Sequence, residues 1–538
     1  MESKNYLVCV GGTGTRVLRA IIHNCAAGVI KEQEINVIVI DADQKSAAWD
    51  YARKDYEKYQ HMYGLFNSEN GENKEGCFKT KINFLTGGNM ISPVDYEQCK
   101  TLRNSLYGDT KLERIMGWFY TEEEMDHDLE EGFFAKPNVG CVFFSHFANG
   151  IFNNFLNDIV KCLENDIKVN IILIGSIFGG TGASGLPTIL KLIDKNINEN
   201  KDNISENIAE RLNIGAVFMM PYFMAKNVDG TDPLIEMDNF NVVAKEALKY
   251  YKEEKYFNTN KEHWTRSFQS LYLVQSQSLD LVNVYAEGGK EQNNKPHIAE
   301  EYAALAVNDF LNKALVTDST PNQGKKTAIT LYKLGGEIGW DDLPSILIGE
   351  DSLQKKMGEL VRFSVVYHNC ICTYMEKQEK AKESGGRLIV KDIDIPQWYV
   401  TFIPQRMDTE FKRMSSNVND YCKSFLEWIS MLQEKLEIAE NDKTYHYNDK
   451  IQLFGEIITK VAGPESDVAQ VVDNVNIIKD NFSKLICAGS NIGYALKEIF
   501  LILSKLGTAG ALEIILGSTL TGVGGVQKLI NSLYQLVK

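Results

Sequence analysis

Twice in this chain a short, unbroken apolar run stops at a cluster of glycines, and each time an apolar pattern at helical spacing follows. The first unit is Tyr6-Leu7-Val8-Cys9-Val10, then Gly11-Gly12-Thr13-Gly14-Thr15, then Val17, Leu18, Ala20, Ile21 and Ile22. The second is Val169 to Ile174, then Gly175 to Pro187 with Gly179-Gly180-Thr181-Gly182-Ala183-Ser184 at its centre, then Thr188 to Ile193. A strand that does not alternate polar with apolar residues is buried on both faces, as in a parallel sheet covered by helices. The spacing therefore predicts an α/β fold with a parallel sheet. Val37-Ile38-Val39-Ile40 is its next strand, ending in Asp41-Ala42-Asp43.

Clustered glycines with intervening Thr and Ser let backbone N–H groups converge on an anion, and a helix N-terminus adds the positive end of a dipole. One such turn is equally a plain tight turn. Two, each between strand and helix in one sheet, open at the same carboxyl edge and make the stronger case for a phosphate cradle. No Gly-Lys-Ser/Thr ends either turn, so neither is a Walker A loop. Val17 stands where a dinucleotide fingerprint needs its third glycine.

With 538 residues the chain has room for roughly two to four domains of about 150 residues. Hydrophobic residues at 44% and charged residues at 24% are ordinary globular usage, which excludes a disordered or fibrous chain. The formal net charge of −15 disfavours binding to nucleic acid or an anionic membrane. Of ten Cys only Cys370 and Cys372 are close, with no partner pair at zinc spacing, so neither a disulfide framework nor a metal site is expected. A reduced, cytoplasmic setting is expected, because Met1 to Tyr6 leads straight into the first strand. Ile499 to Val526 is interrupted by Lys505 and Glu513, so no transmembrane segment is expected. No H-E-x-x-H pattern and no Gly-x-Ser-x-Gly elbow occurs.

Three regions are expected. Residues 1–315 form the nucleotide-type domain, with a polar helical insertion over about 46–137 and a central helix over about 298–315. The insertion carries an acidic run from Glu122-Glu123-Glu124 to Glu130-Glu131, read as a solvated helix face. Val142-Phe143-Phe144 reads as a further strand. Residues 316–405 form a second, smaller α/β domain that includes a strand at Tyr399 to Ile403, and residues 406–538 are mainly helical, opening with an amphipathic helix over Met407 to Ala439. The C-terminal helices serve either to pack on the domain or to bind a partner protein.

This order of pieces resembles the tubulin and FtsZ superfamily of GTPases. Their signature Gly-Gly-Gly-Thr-Gly-Thr-Gly-Ala-Ala-Pro has its counterpart in Phe178-Gly179-Gly180-Thr181-Gly182-Ala183-Ser184-Gly185-Leu186-Pro187, and their Asn-Thr-Asp-Ala-Gln in Asp41-Ala42-Asp43-Gln44. The long insertion and the extra C-terminal helices look most similar to the divergent bacterial tubulin-like proteins. The resemblance implies a Rossmann-like GTPase domain that binds GTP or GDP with Mg2+ and hydrolyses GTP to GDP and phosphate. It further implies head-to-tail self-assembly into filaments, each active site being completed by the next subunit. Gly11, Gly12, Thr13, Gly14, Thr15, Gly179, Gly180, Thr181, Gly182, Ala183 and Ser184 would line the phosphates, and Asp43 the phosphate or magnesium side. Asn294, His297 and Glu300 are candidates for the guanine edge, or else for capping the central helix. Ile338-Gly339-Trp340-Asp341-Asp342-Leu343 resembles the family's acidic loop, so Asp341 or Asp342 would act on water in the neighbouring subunit, or else cap a following helix. Phe178, Ala183 and Ser184 depart from the signature; Ala183, Ser184 and the late position of the acidic loop favour the alternative of a nucleotide-binding sensor or interaction module without turnover. A dinucleotide-dependent oxidoreductase with Asp41 or Asp43 at a ribose is a third reading, which leaves the second glycine turn unexplained.

Overall fold

The unbroken apolar runs become the central strands of a seven-stranded sheet. The computed structural model describes residues 3–32, 34–67, 76–92, 100–106, 108–133, 135–146, 152–204, 208–225, 239–259, 261–276, 280–282, 289, 294–316, 327–335, 338, 342–344, 353–372, 375–376, 408–432, 437–440, 443–446 and 522–537. In chain order its main elements are β1 (Ser3–Val10), α1 (Gly11–Ala27), β2 (Glu34–Ile40), α2 (Ala47–Phe66), β3 (Lys81–Phe84), α3 (Thr110–Met116), α4 (Glu122–Asp126), α5 (Pro137–His146), α6 (Phe152–Glu164), β4 (Lys168–Ser176) and α7 (Gly180–Glu199). They continue with α8 (Ile208–Arg211), β5 (Leu212–Met219), β6 (Phe223–Ala225), α9 (Phe240–Glu253), β7 (Ser270–Ser276), β8 (Asp280–Val282), α10 (Ile298–Val316), β9 (Ala328–Leu334) and α11 (Leu353–Val366). The C-terminal elements are α12 (Thr409–Leu432), a hairpin of β10 (Glu437–Glu440) and β11 (Lys443–His446), and α13 (Gly522–Val537).

The large sheet runs β3-β2-β1-β4-β5-β7-β9 and every neighbouring pair is parallel. β1 and β4 pair from Ser3 with Lys168 to Val10 with Gly175, so both glycine turns leave the sheet at one level. β6 and β8 form a separate two-stranded parallel pair. The α/β fold with a parallel sheet and a long central helix is thus as the sequence implies. Among the described residues no helix is long and apolar enough to cross a membrane.

Three expectations need correction. Val142-Phe143-Phe144 lies inside α5, not in a strand. Three apolar residues carry no period of their own; Pro137 at the first helical position starts a helix whose Val139, Phe143 and Phe144 face the core. The insertion is not purely helical, since Lys81 to Phe84 adds β3 at one edge of the sheet. At the other edge β9 falls in the segment expected to form a second domain, yet it pairs with β7 from Ala328 to Leu334. The alternating exposure of an edge strand hides its membership of a sheet whose centre is uniformly apolar. The strand expected at 399–403 and most of the region 468–538 lie outside the described residues.

α12 and α13 pack back on the same body. Tyr421 of α12 meets Phe78 edge-on at 5.0 Å, and Trp428 lies 4.6 Å from His23 of α1. Tyr534 of α13 contacts Phe66 of α2 and Phe363 of α11. Buried in the same interface, Asp55 of α2 accepts from Arg19 of α1 at 2.5 Å and from the Ser424 hydroxyl of α12. Burial alone would raise its pKa, but Arg19, then His23 and Ser424, hold the carboxyl well below the ordinary range.

Candidate functional site

Several of the described helices begin with a side-chain cap. Ser46 accepts from Trp49 N at the start of α2, Asp109 caps α3, and Thr121 with Glu124 forms a capping box on α4. α1 and α7 differ: the residues at their N-cap positions are Val10 and Gly179, and neither provides a side-chain hydrogen bond. The first-turn N–H groups of two long helices therefore point outward from the glycine turns. They do so side by side, because β1 is the switch point of the sheet, from which the chain winds first to β2 and β3 and then returns to β4 on the other side. Ligands of open parallel sheets bind in the crevice outside such a point.

Glycine is required where the two turns meet. Gly11 has φ +75°, and a Cβ there would sit 3.3 Å from both Gly182 N and the Thr181 Cβ. At Gly182 a Cβ would fall 2.3 Å from the Ser176 carbonyl oxygen, inside any allowed contact. Gly12 is less constrained, since its Cβ would lie at ordinary distances from Arg16 and Asp41.

Two carboxylates border the turns. Asp41 accepts from the Thr181 hydroxyl at 3.1 Å, and burial, then the charge of Asp43, pushes its pKa up to about 7. Asp43 accepts from Lys45 N at 3.0 Å and from Gly289 N at 2.7 Å, which draws the loop after β8 against the end of β2. The insertion closes a further side: Gly132 lies against Asp43, and a Cβ on Gly180 would strike Phe133 at 2.7 Å.

The hydroxyls of the turns point elsewhere. Thr15 donates to Gly11 O at 3.1 Å, and Ser184 donates to Gly180 O at 2.7 Å beneath Gly140 of α5. Thr13 accepts from Arg16 at 3.1 Å. Ala183 is half-buried. Phe178, at the signature's first glycine position, is buried against Tyr222, Phe223 and Phe240.

The base-side candidates are occupied within the protein. Glu300 accepts from Arg16 Nε at 2.7 Å, from the Tyr222 hydroxyl at 2.9 Å and from His297 N at 3.1 Å. This buried ion pair ties the first turn of α10 to α1, a role the sequence reading did not assign. His297 Nδ1 accepts from Ala299 N at 3.0 Å, a capping contact. Asn294 is half-buried just before α10. Asp342 is exposed and its carbonyl accepts from the Tyr302 hydroxyl at 2.8 Å, anchoring the acidic loop to α10; Asp341 lies outside the described residues.

Gly11 to Thr15, Gly179 to Ser184 and Asp43 are thus brought together, while Glu300 and His297 serve α10. The sequence reading passed over Asp41 as a member of the phosphate site, and over Arg16 altogether. Arg16 had one local signal: a cation in the first, apolar turns of a core helix needs a partner. Among the described residues no group of three or more His, Cys, Asp and Glu is placed to hold a metal ion alone. Asp41 and Asp43 supply two carboxylates beside a cradle for anions, a donor set that suits a hard cation arriving with phosphates.

A family model described as tubulin like matches residues 6–310, from β1 through most of α10 and over more than half of the chain. No curated protein matches it.

Proposed function

The chain belongs to the tubulin-like family, and on that premise we propose that it binds a guanine nucleotide, GTP or GDP with Mg2+, at its paired glycine turns. The observation that carries this reading is the pair of uncapped helix N-termini, touching through Gly11 and Gly182 at the sheet's switch point. The N–H groups of Gly11 to Thr15 and of Gly179 to Ser184 hold the phosphates. Asp43, fixed by Lys45 N and Gly289 N, orders the magnesium side, and Asp41 faces the same charge. Bound magnesium neutralises charge that builds on the phosphate oxygens. Asn294 is the remaining base-side group not committed to α10.

Hydrolysis would be completed between subunits. Asp341 or Asp342, in the segment after β9, orients water at the site of the next copy. Such head-to-tail contacts do not close on themselves and give filaments. A second reading, binding without turnover, is favoured by Ala183 and by the Ser184 and Thr15 hydroxyls, which are spent inside their own helices.

Turnover of GTP and ATP measured against protein concentration, with Asp341→Ala and Asp342→Ala beside wild type, tests both readings. A GTP rate per subunit that climbs with concentration and is lost in one variant that still binds nucleotide supports the shared site. Tight GTP binding with a flat, near-zero rate leaves the sensor. Failure to bind either nucleotide overturns the proposal.

A further inference from the structure

Four of the large apolar side chains left in water sit within eight consecutive residues of the insertion: Leu112 and Ile115 on α3, then Trp118 and Phe119 in the turn that follows. Trp118 is 75% exposed and Phe119 70%. Isolated exposed apolar residues are ordinary, but a contiguous patch with Trp and Phe at its centre has the composition of an interface anchor.

Polar contacts tie the patch to its surroundings. Arg103 binds Glu113 of α3 together with Glu122 and Asp126 of α4, which locks the two helices to one another. The Tyr120 hydroxyl donates to Asn138 O at 3.0 Å and fastens the turn to the start of α5. A preorganised surface loses little entropy when it is covered.

Charge identifies the occupant. Residues 100–136, which include the Lys100, Arg103 and Lys136 partners of five of their carboxylates, contain nine acidic and five basic residues and so keep a net charge of −4. A second copy of this chain would bring the same acidic surface and a net charge of −15 to the contact, and an anionic bilayer would be repelled likewise. We infer that the insertion is a docking surface for a basic amphipathic helix of a partner protein, whose apolar face covers Trp118 and Phe119 while its Lys and Arg meet the acidic rim. This surface is separate from the nucleotide reading and does not depend on it.

The test uses the full chain and two dye-labelled amphipathic peptides that share one Leu face, with either Lys or Glu on the polar face, followed by fluorescence anisotropy. The Lys peptide should bind at least about tenfold more tightly than the Glu peptide. Trp118→Ser with Phe119→Ser should weaken it about tenfold or more, and Glu123→Lys, at a carboxylate outside the Arg103 network, should weaken it as well while leaving the apolar anchor in place. Ile329→Ser with Leu331→Ser, exposed on the distant strand β9, should leave binding unchanged. Equal binding of the two peptides, or unchanged binding in both insertion variants, overturns the inference. So does a dimer in sedimentation of the wild type that Trp118→Ser dissolves, because the occupant is then a second copy.

Discussion

Asp55→Ala should destabilise the junction between the nucleotide-type domain and its C-terminal helices more than any surface change. The carboxylate is only 1% exposed and joins three helices: Arg19 on α1, Ser424 on α12, and its own α2. Removing it leaves the Arg19 guanidinium buried, with the Tyr51 ring at 5.0 Å, and takes away the carboxylate 3.3 Å from His23 Nε2. Breaking a buried pair by deleting one partner costs about 3–5 kcal/mol. Ser424→Ala removes one hydrogen bond to a charged group and should cost about 1.5–3 kcal/mol. Arg19→Met with Asp55→Leu replaces the pair by apolar groups and should recover most of the loss, because neither charge then needs solvation. Urea midpoints followed by circular dichroism, fitted with a common slope, give the differences. The folded pKa of Asp55 is depressed, so its contribution is present above the unfolded value of about 4 and is lost as pH falls through the folded value. A cost below about 1 kcal/mol for Asp55→Ala, or simple additivity in the double variant, would refute the reasoning.

Gly12→Val should leave the fold intact, since a Cβ there makes only ordinary contacts, while its methyls cover the first-turn amides; nucleotide binding read by equilibrium dialysis should fall at least about a hundredfold, as two charge-assisted hydrogen bonds at ~1.5–3 kcal/mol each would require. Glu300→Ala should strand Arg16 and cost about 3–5 kcal/mol, with Glu300→Gln milder because it keeps an acceptor; equal effects would place the loss in packing and not in charge. Glu301 is buried between α10 and α1 with both oxygens on the Asn24 amide, and burial pushes its pKa up to about 8. A raised folded pKa gives stability that is present below about pH 4 and lost as pH rises through about 8. Glu301→Gln should therefore be the more stable chain at pH 8, by an amount on the order of a few kcal/mol, and should flatten the pH profile; an unchanged profile would show that Glu301 stays hydrated.

Much of the site could be read along the chain because its determinants are local. An unbroken apolar run, a glycine cluster and a helical period lie within about twenty residues of one another, and the backbone N–H groups that face the crevice follow from that order alone. β1, α1, β4, α7 and the long α10 were all legible in this way. Short or mixed signals were not: Val142-Phe143-Phe144 has no period, and the edge strands β3 and β9 lack the uniform apolar pattern of the centre.

Side-chain roles needed the tertiary structure, because each depends on partners far away in sequence. Glu300 meets Arg16 across 284 residues and Asp55 meets Ser424 across 369. Neither pairing leaves a local pattern, so a carboxylate that reads as a base-recognition group proves to hold two helices together. Thr15 and Ser184 read as phosphate ligands by type, but helical geometry turns their hydroxyls back onto their own carbonyls. The sequence alone determined where backbone amides converge. Which side chains stand beside them, and which are spent in the core, was decided only by packing, since burial obliges every polar group to find a partner wherever the fold supplies one.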